Sequence, residues 1–385
     1  MRPPPGNGPC AHPVPPHTAF LEHALALAQS CLLLTAPNPR VGCVITSADG
    51  QLLGQGHTQK AGGPHAEIMA LRDAAARGHA VQGATAYVTL EPCAHQGRTG
   101  PCCDALVAAG IQKVVATHTD PNPRVAGQGF ARMRSAGIEV HVLAPDDPLA
   151  IAARELNIGF FSRMIRKRPW VRMKIAASLD GKTALTNGAS QWITSPEARA
   201  DGHAWRARAC LVLTGIGTVL ADNPRLDVRL VETPRQPAVA LVDSHLTLPL
   251  DASLFLPGRP LYVWTADPAA HKSSALEARG AQVFLRPDGQ GRVDLAAMLQ
   301  DMAALEINEL HVEAGHTLNG ALISAGLVDE FLIYLAPKLL GLGRDMASFG
   351  PLTALSQAVP LTFESTQMVG PDLRVLARVA GRDRF

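Results

Sequence analysis

The sequence predicts two α/β domains in one chain, and three observations support this fold class. A chain of 385 residues is too long for one hydrophobic core of ordinary size, so two or three domains are expected. Residues 18–155 alternate short apolar strands with helical stretches, and a fresh alternation of the same kind begins after Pro169. The apolar fraction of 47% and charged fraction of 18% are typical of globular proteins and not of disordered chains.

The domain limits follow from composition. Residues 1–17 are rich in proline and have no apolar segment of the secretory kind, so we expect a disordered tail. The first domain is then 18–155 and the second is 170–385. Between them, 156–169 is rich in Arg and Lys and ends at a proline, which indicates a linker.

In the first domain, the alternation predicts a sheet with helices on both faces. The expected helices are 20–34, 65–77, 102–109 and 127–136. The expected strands are 41–46, 51–57, 84–90, 113–117 and 139–143.

The second domain shows seven buried strands with helices between them, followed by a strand pair at the C-terminus. The expected strands are 171–177, 210–214, 238–242, 261–265, 282–285, 309–312 and 331–335, and the final pair is 362–369 with 373–379. The expected helices include 196–208, 295–305 and 318–324.

The most informative motif is His65-Ala66-Glu67, followed by Cys93 and Cys102. One imidazole and two thiolates make a three-ligand zinc set, and catalytic zinc sites leave a fourth position open for water. A His-x-Glu segment with a later Pro-Cys is the signature of zinc-dependent nucleobase deaminases, although their cysteines are spaced C-x-x-C and here the spacing is longer. We therefore expect zinc to lower the pKa of a bound water to give hydroxide, and Glu67 to carry protons.

An alternative is a closed, structural zinc site completed by His95 or Cys103, but it leaves Glu67 without a purpose.

The other cysteines favour no disulfide framework. The odd total of seven in a long chain indicates a reducing, cytoplasmic setting, with Cys31, Cys43 and Cys210 as small buried apolar residues.

The composition argues against some partners. A net charge of +2 and an aromatic content of 4% disfavour a nucleic-acid deaminase, because strand binding needs basic grooves and stacking rings. No run of 18 apolar residues is present, so we expect no membrane span. The partner is then a small molecule.

The motifs of the second domain are weaker. Residues 313–320 follow a strand and open a helix, and small residues there could let backbone N–H groups approach an anion, although a helix-capping turn is an equal alternative. A second small-residue loop, 214–218, also follows a strand. Arg206 and Arg229 could bind a phosphate or be solvated surface groups. Lys174 and Asp180 could assist proton transfer or form a structural salt bridge.

Several longer motifs resemble the bifunctional deaminase/reductase family of riboflavin biosynthesis, over nearly the whole chain except the tail. In chain order they are Asn38-Pro-Arg-Val-Gly-Cys43, Pro64-His-Ala-Glu67, the segment from Thr89 to Cys102, Asp120-Pro-Asn-Pro123, Ser178-Leu-Asp-Gly-Lys182, Ser190-Gln-Trp-Ile-Thr-Ser195, Val219-Leu-Ala-Asp-Asn-Pro224 and Val312-Glu-Ala-Gly315. One departure is Gly100, where the family usually has proline. The resemblance implies a cytidine-deaminase-like three-layer α/β/α domain followed by a dihydrofolate-reductase-like α/β domain.

For the first domain, the resemblance implies one zinc ion per chain and hydrolysis of a diaminopyrimidinone that carries a phosphoribosylamino group. The products are the aminouracil and ammonia. Asn38 would hold the pyrimidine edge, since its amide both donates and accepts. His95, Arg98 and Thr99 would contact ribose or phosphate, with a loop-stabilising role equally open.

For the second domain, the resemblance implies NADPH and reduction of the ribosyl group to ribityl. The cofactor contacts would be Ala176, Trp192, Thr218, Asp222, Gly315, His316, Thr317, Leu318, Asn319, Gly320 and Ala321. The substrate contacts would be Ser190, Arg206, Leu226, Arg229 and Glu313. The preference for NADPH over NADH comes from the resemblance alone. A silent binding or assembly module is the alternative for this domain, and a homo-oligomer is expected.

Overall fold

The computed structural model describes residues 16–94, 100–123 and 125–385. Almost all of the predicted tail and the predicted contacts His95, Arg98 and Thr99 lie outside the described residues. The chain divides into two compact units. The first comprises the described residues up to Thr35 together with Pro39–Asn157, and the second comprises Ala36–Asn38 together with Ile158–Phe385. No helix in the described part of the chain is long and apolar enough to cross a membrane.

The first unit is a five-stranded sheet in the order β2-β1-β3-β4-β5 with five helices. Strand β1 pairs antiparallel with β2 and β3, whereas β3, β4 and β5 run parallel. The strands are β1 Gly42–Thr46, β2 Leu52–His57, β3 Thr85–Val88, β4 Lys113–Ala116 and β5 Glu139–Val142. The helices are α1 Pro16–Ser30, α2 Ala66–Ala76, α3 Cys102–Ala108, α4 Gln128–Ser135 and α5 Pro148–Leu156.

Helices cover both faces of this sheet, as predicted. On one face α1 packs against β1, where a Cβ on Gly42 would lie 1.8 Å from the Ala24 carbonyl oxygen, and α5 packs against α1. On the other face α2 lies directly on β2, because a Cβ on Gly54 or Gly56 would approach the α2 backbone to 2.3 Å and 2.7 Å. Glycine is therefore required in β2 for α2 to reach its position.

The second unit contains a nine-stranded sheet in the order β11-β10-β9-β8-β12-β6-β13-β16-β15. Seven strands are parallel, and the C-terminal hairpin β15–β16 adds antiparallel to β13, which confirms the expected strand pair. The strands are β6 Trp170–Ser178, β7 Lys182–Leu185, β8 Leu211–Gly215, β9 Ala238–Val242, β10 Leu261–Thr265, β11 Ala281–Leu285, β12 Glu309–Val312, β13 Glu330–Ala336, β14 Gly343–Asp345, β15 Leu361–Val369 and β16 Asp372–Val379. The small β7 and β14 form a separate two-stranded sheet.

The helices of the second unit are α6 Ile158–Arg166, α7 Pro196–Arg208, α8 Ile216–Asp222, α9 Ala270–Ala278, α10 Leu295–Ala304 and α11 His316–Ser324. A short 3-10 helix spans Leu355–Gln357. The parallel strands β8, β12 and β6 are neighbours in the centre of the sheet. Ligands of such sheets bind beyond the carboxyl ends of the strands, which is where the two small-residue loops lie.

The region for which the sequence predicts a linker, 156–169, contains α6. Phe160 and Phe161 of this helix are buried, and the Arg163 Nε donates to the Asn308 Oδ1 at 2.7 Å. A helix within the predicted linker has a physical reason. The basic residues that suggest a linker lie beside apolar ones at helical spacing, so the segment packs through its apolar face.

Candidate active sites

Three short elements bring the predicted zinc ligands together in the first unit. His65 immediately precedes α2 in an extended conformation, and Glu67 lies in the first turn of that helix. Cys93 follows β3, and Cys102 is the first residue of α3. The start of α3 also holds the Cys93 loop, because the Cys102 backbone N–H donates to the Cys93 Sγ at 3.4 Å and the Cys103 N–H donates to the Cys93 carbonyl oxygen at 3.2 Å.

The distances between the ligand atoms fit a zinc ion. The His65 Nδ1 lies 3.6 Å from the Cys93 Sγ and 3.4 Å from the Cys102 Sγ, and all three ligand atoms are within 4.8 Å of one another. Ordinary Zn–S and Zn–N bonds at a tetrahedral angle separate sulfur and nitrogen by about 3.5 Å. The three side chains are therefore already arranged as a tetrahedral metal would hold them.

No fourth ligand joins this group among the residues that the structure describes. Cys103, the candidate for closing the site, is instead turned to Asp104, whose Oδ1 its Sγ approaches to 3.5 Å. His95, the other candidate, lies outside the described residues. The described donor set thus has the three protein ligands that are typical of catalytic zinc.

The electrostatics of the group suit a cation and a proton carrier. Burial, together with the Cys93 thiolate, raises the pKa of Glu67 to about 7 against the opposing effect of His65. A hydrogen bond from Cys102 lowers the pKa of Cys93 to about 4, while the pKa of Cys102 is raised by the same contact. The two thiols hold one proton between them, and a divalent cation in its place would neutralise both thiolates.

A buried carboxylate that the sequence reasoning missed holds the loop beside the ligands. Glu91 accepts four backbone N–H bonds: its Oε1 from Gly129 and Phe130, at 2.9 Å and 3.2 Å, and its Oε2 from Asp120 and Gly127, at 3.0 Å and 2.9 Å. Glu91 thereby ties the ligand loop to the segment before α4. The signal in the sequence was an acidic residue next to Pro92 at the end of an apolar strand.

Two further polar residues of the family motifs are Asn38, which is expected at the pyrimidine edge, and Asp120. Asn38 lies in Ala36–Asn38, which belongs to the second unit, so its contact with the pyrimidine stays a prediction. Asp120 is buried, and burial raises its pKa to about 7. It therefore adds a second carboxyl to this unit that can change charge near neutral pH.

In the second unit, one cavity of about 1580 Å³ brings together nearly all the residues predicted for the reductase reaction. Its lining includes the predicted cofactor contacts Ala176, Trp192, Thr218, Asp222, Gly315, His316, Thr317, Leu318, Asn319 and Ala321. It also includes the predicted substrate contacts Ser190, Arg206, Leu226, Arg229 and Glu313. Gly320 does not line it in the described chain, because a Cβ there would meet the Ser348 carbonyl oxygen at 1.8 Å.

The two small-residue loops meet in this cavity. A Cβ on Gly315, which precedes α11, would lie 3.6 Å from the Thr218 Oγ1, and one on Gly215 would lie 3.3 Å from Leu318. The loop at 214–218 does not remain irregular, since α8 begins at Ile216. Two helix N-termini therefore stand side by side on the cavity wall, where backbone N–H groups favour anions.

Arg206 and Glu313 form a bidentate pair on the cavity wall. The Arg206 Nε lies 2.6 Å from the Glu313 Oε1, its Nη2 lies 2.9 Å from the Oε2, and its Nη1 donates to the Asp227 carbonyl oxygen at 2.6 Å. Burial acts to raise the pKa of Glu313, but the Arg206 guanidinium holds it well below its usual range. Each guanidinium nitrogen of Arg206 thus contacts a protein oxygen on the wall of the cavity.

Of the two proton-transfer candidates, only Lys174 lines the cavity in the described chain. Its Nζ lies 4.0 Å from the Glu313 Oε2, and burial lowers its pKa. Asp180 accepts hydrogen bonds from Ser178, Leu340 and Gly341, and the Ser178 hydroxyl lowers its pKa to about 2. Asp180 holds a turn, and Lys174 is the candidate that lines the cavity.

Arg229 lies beside two residues that the sequence reasoning did not name. Its Nη1 and the Arg225 Nε contact the two oxygens of the Asp227 carboxylate, at 2.9 Å and 3.1 Å. Both arginines line the cavity. The signal was the spacing Arg-x-Asp-x-Arg, which keeps two guanidinium groups within reach of one carboxylate.

Comparison with known proteins gives matches over both units. The model of the RibD C-terminal domain matches residues 169–375, and that of the cytidine and deoxycytidylate deaminase zinc-binding region matches residues 15–118. Among curated proteins, the riboflavin biosynthesis protein RibD of Escherichia coli is 43% identical over 92% of this chain and 97% of its own length. That of Aquifex aeolicus is 37% identical over 92% of this chain and 96% of its own length.

Two solved structures are similar along the whole chain. RibD of Acinetobacter baumannii matches with a TM-score of 0.84 and 38% identity, covering 94% of this chain and 98% of that one. A diaminohydroxyphosphoribosylaminopyrimidine deaminase/5-amino-6-(5-phosphoribosylamino)uracil reductase of Thermotoga maritima matches with a TM-score of 0.84 and 32% identity. It covers 95% of this chain and 99% of that one.

Proposed function

Because the chain belongs to the RibD family of riboflavin biosynthesis proteins, we propose that its two units act in sequence on one small molecule, with deamination in the first and reduction in the second. The chain is a bifunctional deaminase and reductase, since it carries both the zinc-binding deaminase region and the RibD C-terminal domain. The observation that carries the first activity is the set His65, Cys93 and Cys102 with the buried Glu67 beside it.

His65, Cys93 and Cys102 would hold the zinc ion. Zinc bound there would lower the pKa of a water molecule to near neutrality, which supplies the nucleophile for hydrolysis. Glu67 has a pKa of about 7 because it is buried, so near neutral pH it can take up a proton and release it again. It would accept the proton of the water and pass protons to the ring nitrogen and the departing ammonia.

We propose that the substrate is the diaminopyrimidinone with a phosphoribosylamino group, as the printed name of the Thermotoga maritima relative indicates for that protein. Asn38 would recognise the pyrimidine edge, and His95, Arg98 and Thr99 would contact the ribose or phosphate. These contacts come from the family resemblance. The domain limits of 18–155 and 170–385, with a linker between, belong to the same proposal.

The reductase domain uses a nicotinamide cofactor, and we propose that this cofactor is NADPH. It would contact Ala176, Trp192, Thr218, Asp222 and the segment 315–321, and it supplies the hydride for the open ribosyl chain. Ser190, Arg206, Leu226, Arg229 and Glu313 would hold the sugar phosphate. Lys174 would donate the proton to the sugar oxygen, and its position on the cavity wall near Glu313 supports this role.

The two activities are tested in order on the zinc-loaded full chain. Ammonia release from the diaminopyrimidinone ribotide is measured first without nicotinamide, and then NADPH is added and its oxidation is followed, with NADH in parallel. We expect ammonia first and NADPH consumption second. Ammonia release without NADPH oxidation would indicate that the second unit is a binding or assembly module. The absence of both signals from folded, zinc-loaded protein would refute the proposed substrate.

The variant Glu67→Gln separates a catalytic from a structural metal site. We expect it to lose deamination by at least about a hundredfold, because a glutamine cannot carry the proton, while zinc content and NADPH oxidation with the deaminated substrate stay unchanged. Unchanged ammonia release would show that the carboxylate has no part in the reaction.

We further propose a cytoplasmic homo-oligomer. All described cysteines are free thiols, as a reducing compartment favours.

The edge strand β15 is exposed along most of its length, with Phe363 72% exposed, and exposed apolar edge strands pair readily with other chains. Sedimentation should show an oligomer. The variant Phe363→Glu should shift it to the monomer, whereas Leu250→Glu, at an exposed apolar residue outside β15, should leave it intact. A monomeric wild type would overturn this.

A further inference from the structure

Strand β12 presents three polar side chains to helix α7, one at every second position. Glu309 faces this helix, because the Arg208 Nε donates to its Oε2 at 2.7 Å. Glu313 faces it too, because the Arg206 Nε donates to its Oε1 at 2.6 Å. Successive side chains of a strand alternate between its two faces, so His311 lies on the same face, between the two carboxylates. Its side chain is fully buried there.

The polar atoms of this imidazole are incompletely used. Neither ring nitrogen of His311 has a hydrogen bond of ordinary geometry in the described chain. The Nε2 does approach one carboxylate, since the Glu313 Oε1 lies 3.5 Å from it. An ordinary N–H···O bond is about 2.9 Å long, so a shift of the carboxylate by about 0.6 Å would complete it. A buried polar group without a full partner costs free energy, so its presence has to be explained by something other than packing.

The groups around His311 keep its imidazole neutral. Burial lowers its pKa, and so do Arg172, its register partner in β6, and Arg206 of α7, against the opposing effect of Glu313. Its register partner in β8 is Val212, which carries no charge. A neutral imidazole has one N–H group, and in the described chain only the Nε2 faces an acceptor. The proton therefore belongs on the Nε2, which makes His311 a donor toward Glu313.

Glu313 is the residue through which His311 reaches the cavity. Glu313, Lys174 and Arg206 line the cavity, whereas His311 is not among its described lining residues. The Glu313 Oε1 faces the Arg206 Nε and the His311 Nε2. The Glu313 Oε2 faces the Arg206 Nη2 at 2.9 Å and the Lys174 Nζ at 4.0 Å. A donor that holds the Oε1 from behind the wall thus keeps the Oε2 on the side of Lys174.

His311 is well placed to fix this carboxylate. It lies two residues before Glu313 on β12, a strand that pairs with β6 on one side and β8 on the other. Arg206, the other partner of the carboxylate, reaches it from α7 through a long, flexible side chain. The imidazole has only two rotatable bonds and stands on the central part of the sheet. It therefore gives the carboxylate a more rigid reference point than the guanidinium does.

We propose that His311 is a positioning residue of the reductase site, which donates its Nε2–H to the Glu313 Oε1 and holds that carboxylate toward Lys174 and the sugar of the substrate. The inference rests on the proposed function for the reaction in this cavity. It adds a residue outside the motif Val312-Glu-Ala-Gly315 and behind the cavity wall.

The kinetic test compares two substitutions of similar length on the zinc-loaded full chain, with the deaminated substrate and NADPH. His311→Met removes both nitrogens, and we expect kcat/KM for the substrate to fall about tenfold, because a hydrogen bond to a charged group is lost. His311→Gln keeps an N–H donor at the end of the side chain, so it should stay within about threefold of the wild type. The KM for NADPH and ammonia release by the first unit should not change. Equal losses in both variants, or none in His311→Met, would overturn the positioning role.

Urea unfolding distinguishes positioning from packing. If the ring only fills the core, His311→Met should lose stability and activity together. The positioning role predicts a urea midpoint for His311→Met that is no lower than that of the wild type, because an apolar side chain of similar volume replaces buried nitrogens that lack ordinary partners. Reduced turnover in an equally stable protein supports the inference, and a midpoint that falls in step with turnover would contradict it.

Nitrogen NMR on protein with labelled histidines keeps this inference distinct from the proposed function. The His311 signals are identified by their absence from His311→Gln. We expect the proton on the Nε2 from about pH 5 to about pH 8, with signals that shift in Glu313→Gln. A proton on the Nδ1, or signals that ignore Glu313→Gln, would refute the contact even in an active enzyme, and the proposed function would stand. If the wild type does not turn over the expected substrate but His311 shows both properties, the contact stands and the substrate is wrong.

Discussion

Glu67 and Glu313 are both buried carboxylates, yet their surroundings move their pKa values in opposite directions. Among the described residues no guanidinium acts on Glu67, which lies near a thiolate, so burial raises its pKa to about 7 and it can exchange protons. Burial also acts on Glu313, but two contacts with Arg206 keep it ionised. The first residue is therefore suited to proton transfer and the second to holding a hydroxyl or an ammonium group.

His203 leads to a prediction about pH. Its pKa is lowered from 6.5 to about 4 in the folded protein, so the unfolded chain binds the proton more readily. The unfolding free energy should therefore decrease as the pH falls from about 6.5 to about 4, with about 2–3 kcal/mol from this group. Protonation would also place an N–H opposite the Arg229 backbone N–H.

The measurement is urea unfolding at pH values from 7 to 4 for the wild type and His203→Asn, whose amide oxygen can replace the Nδ1 acceptor. The difference between the two proteins should vary with pH in that window, and the variant should lose less stability on acidification. Parallel curves would contradict the assignment.

At the scale of elements, the positions of the candidate zinc ligands depend on where two helices and one strand begin or end. His65 precedes α2, Cys93 follows β3, and Cys102 begins α3, so each ligand lies at a junction that neighbouring elements hold in place. Glycines in β2 let α2 approach the sheet, and Glu91 ties the Cys93 loop to the start of α4. The geometry of the site is therefore a property of these elements and not of the ligands alone.

Replacing Glu91 with Gln should destabilise the first unit by about 3 kcal/mol, because an NH₂ group would face two of the four backbone N–H donors. Thermal unfolding of the zinc-loaded protein measures this. Glu139→Gln is the matched control, since Glu139 forms an exposed salt bridge with Lys113 and should change stability by less than about 0.5 kcal/mol. Equal effects of the two substitutions would show that the buried contacts carry no special weight.

At the scale of the molecule, two units with separate cores carry two chemistries. The metal ligands all lie in the first unit, and the cavity is lined by residues of the second. The described residues proposed for each reaction lie in one unit, apart from Asn38. The two activities should therefore be separable by chemical treatment of the intact chain.

Removal of zinc with a chelator should abolish ammonia release while NADPH oxidation with the deaminated substrate keeps its rate. The reason is that no described metal-ligand group lies in the second unit. Adding zinc back should restore ammonia release. A parallel loss of both activities on chelation, with the protein still folded, would contradict the independence of the two sites.

Much of the architecture could be predicted from the alternation of apolar segments. The strands β9, β10 and β12 and the helix α7 have the bounds that the pattern predicts, because buried parallel strands are continuous apolar runs between turn residues. The helices α5, α6, α8 and α9 were missed. These four helices are only seven to nine residues long, and an apolar pattern of that length does not distinguish a helix from a strand or a loop.

What the sequence by itself determined is the chemistry: the ligand types in His65, Cys93 and Cys102, the carboxylate Glu67 proposed to carry protons, and the family to which both halves belong. These depend on residue identity and local spacing, which a sequence states directly. Tertiary structure alone decided which partner each charged group takes. It pairs Arg206 with Glu313, leaves Lys174 rather than Asp180 in the cavity and places Arg225 and Arg229 around Asp227. Such pairings depend on distances between residues that are far apart in the chain, and on burial, neither of which local spacing encodes.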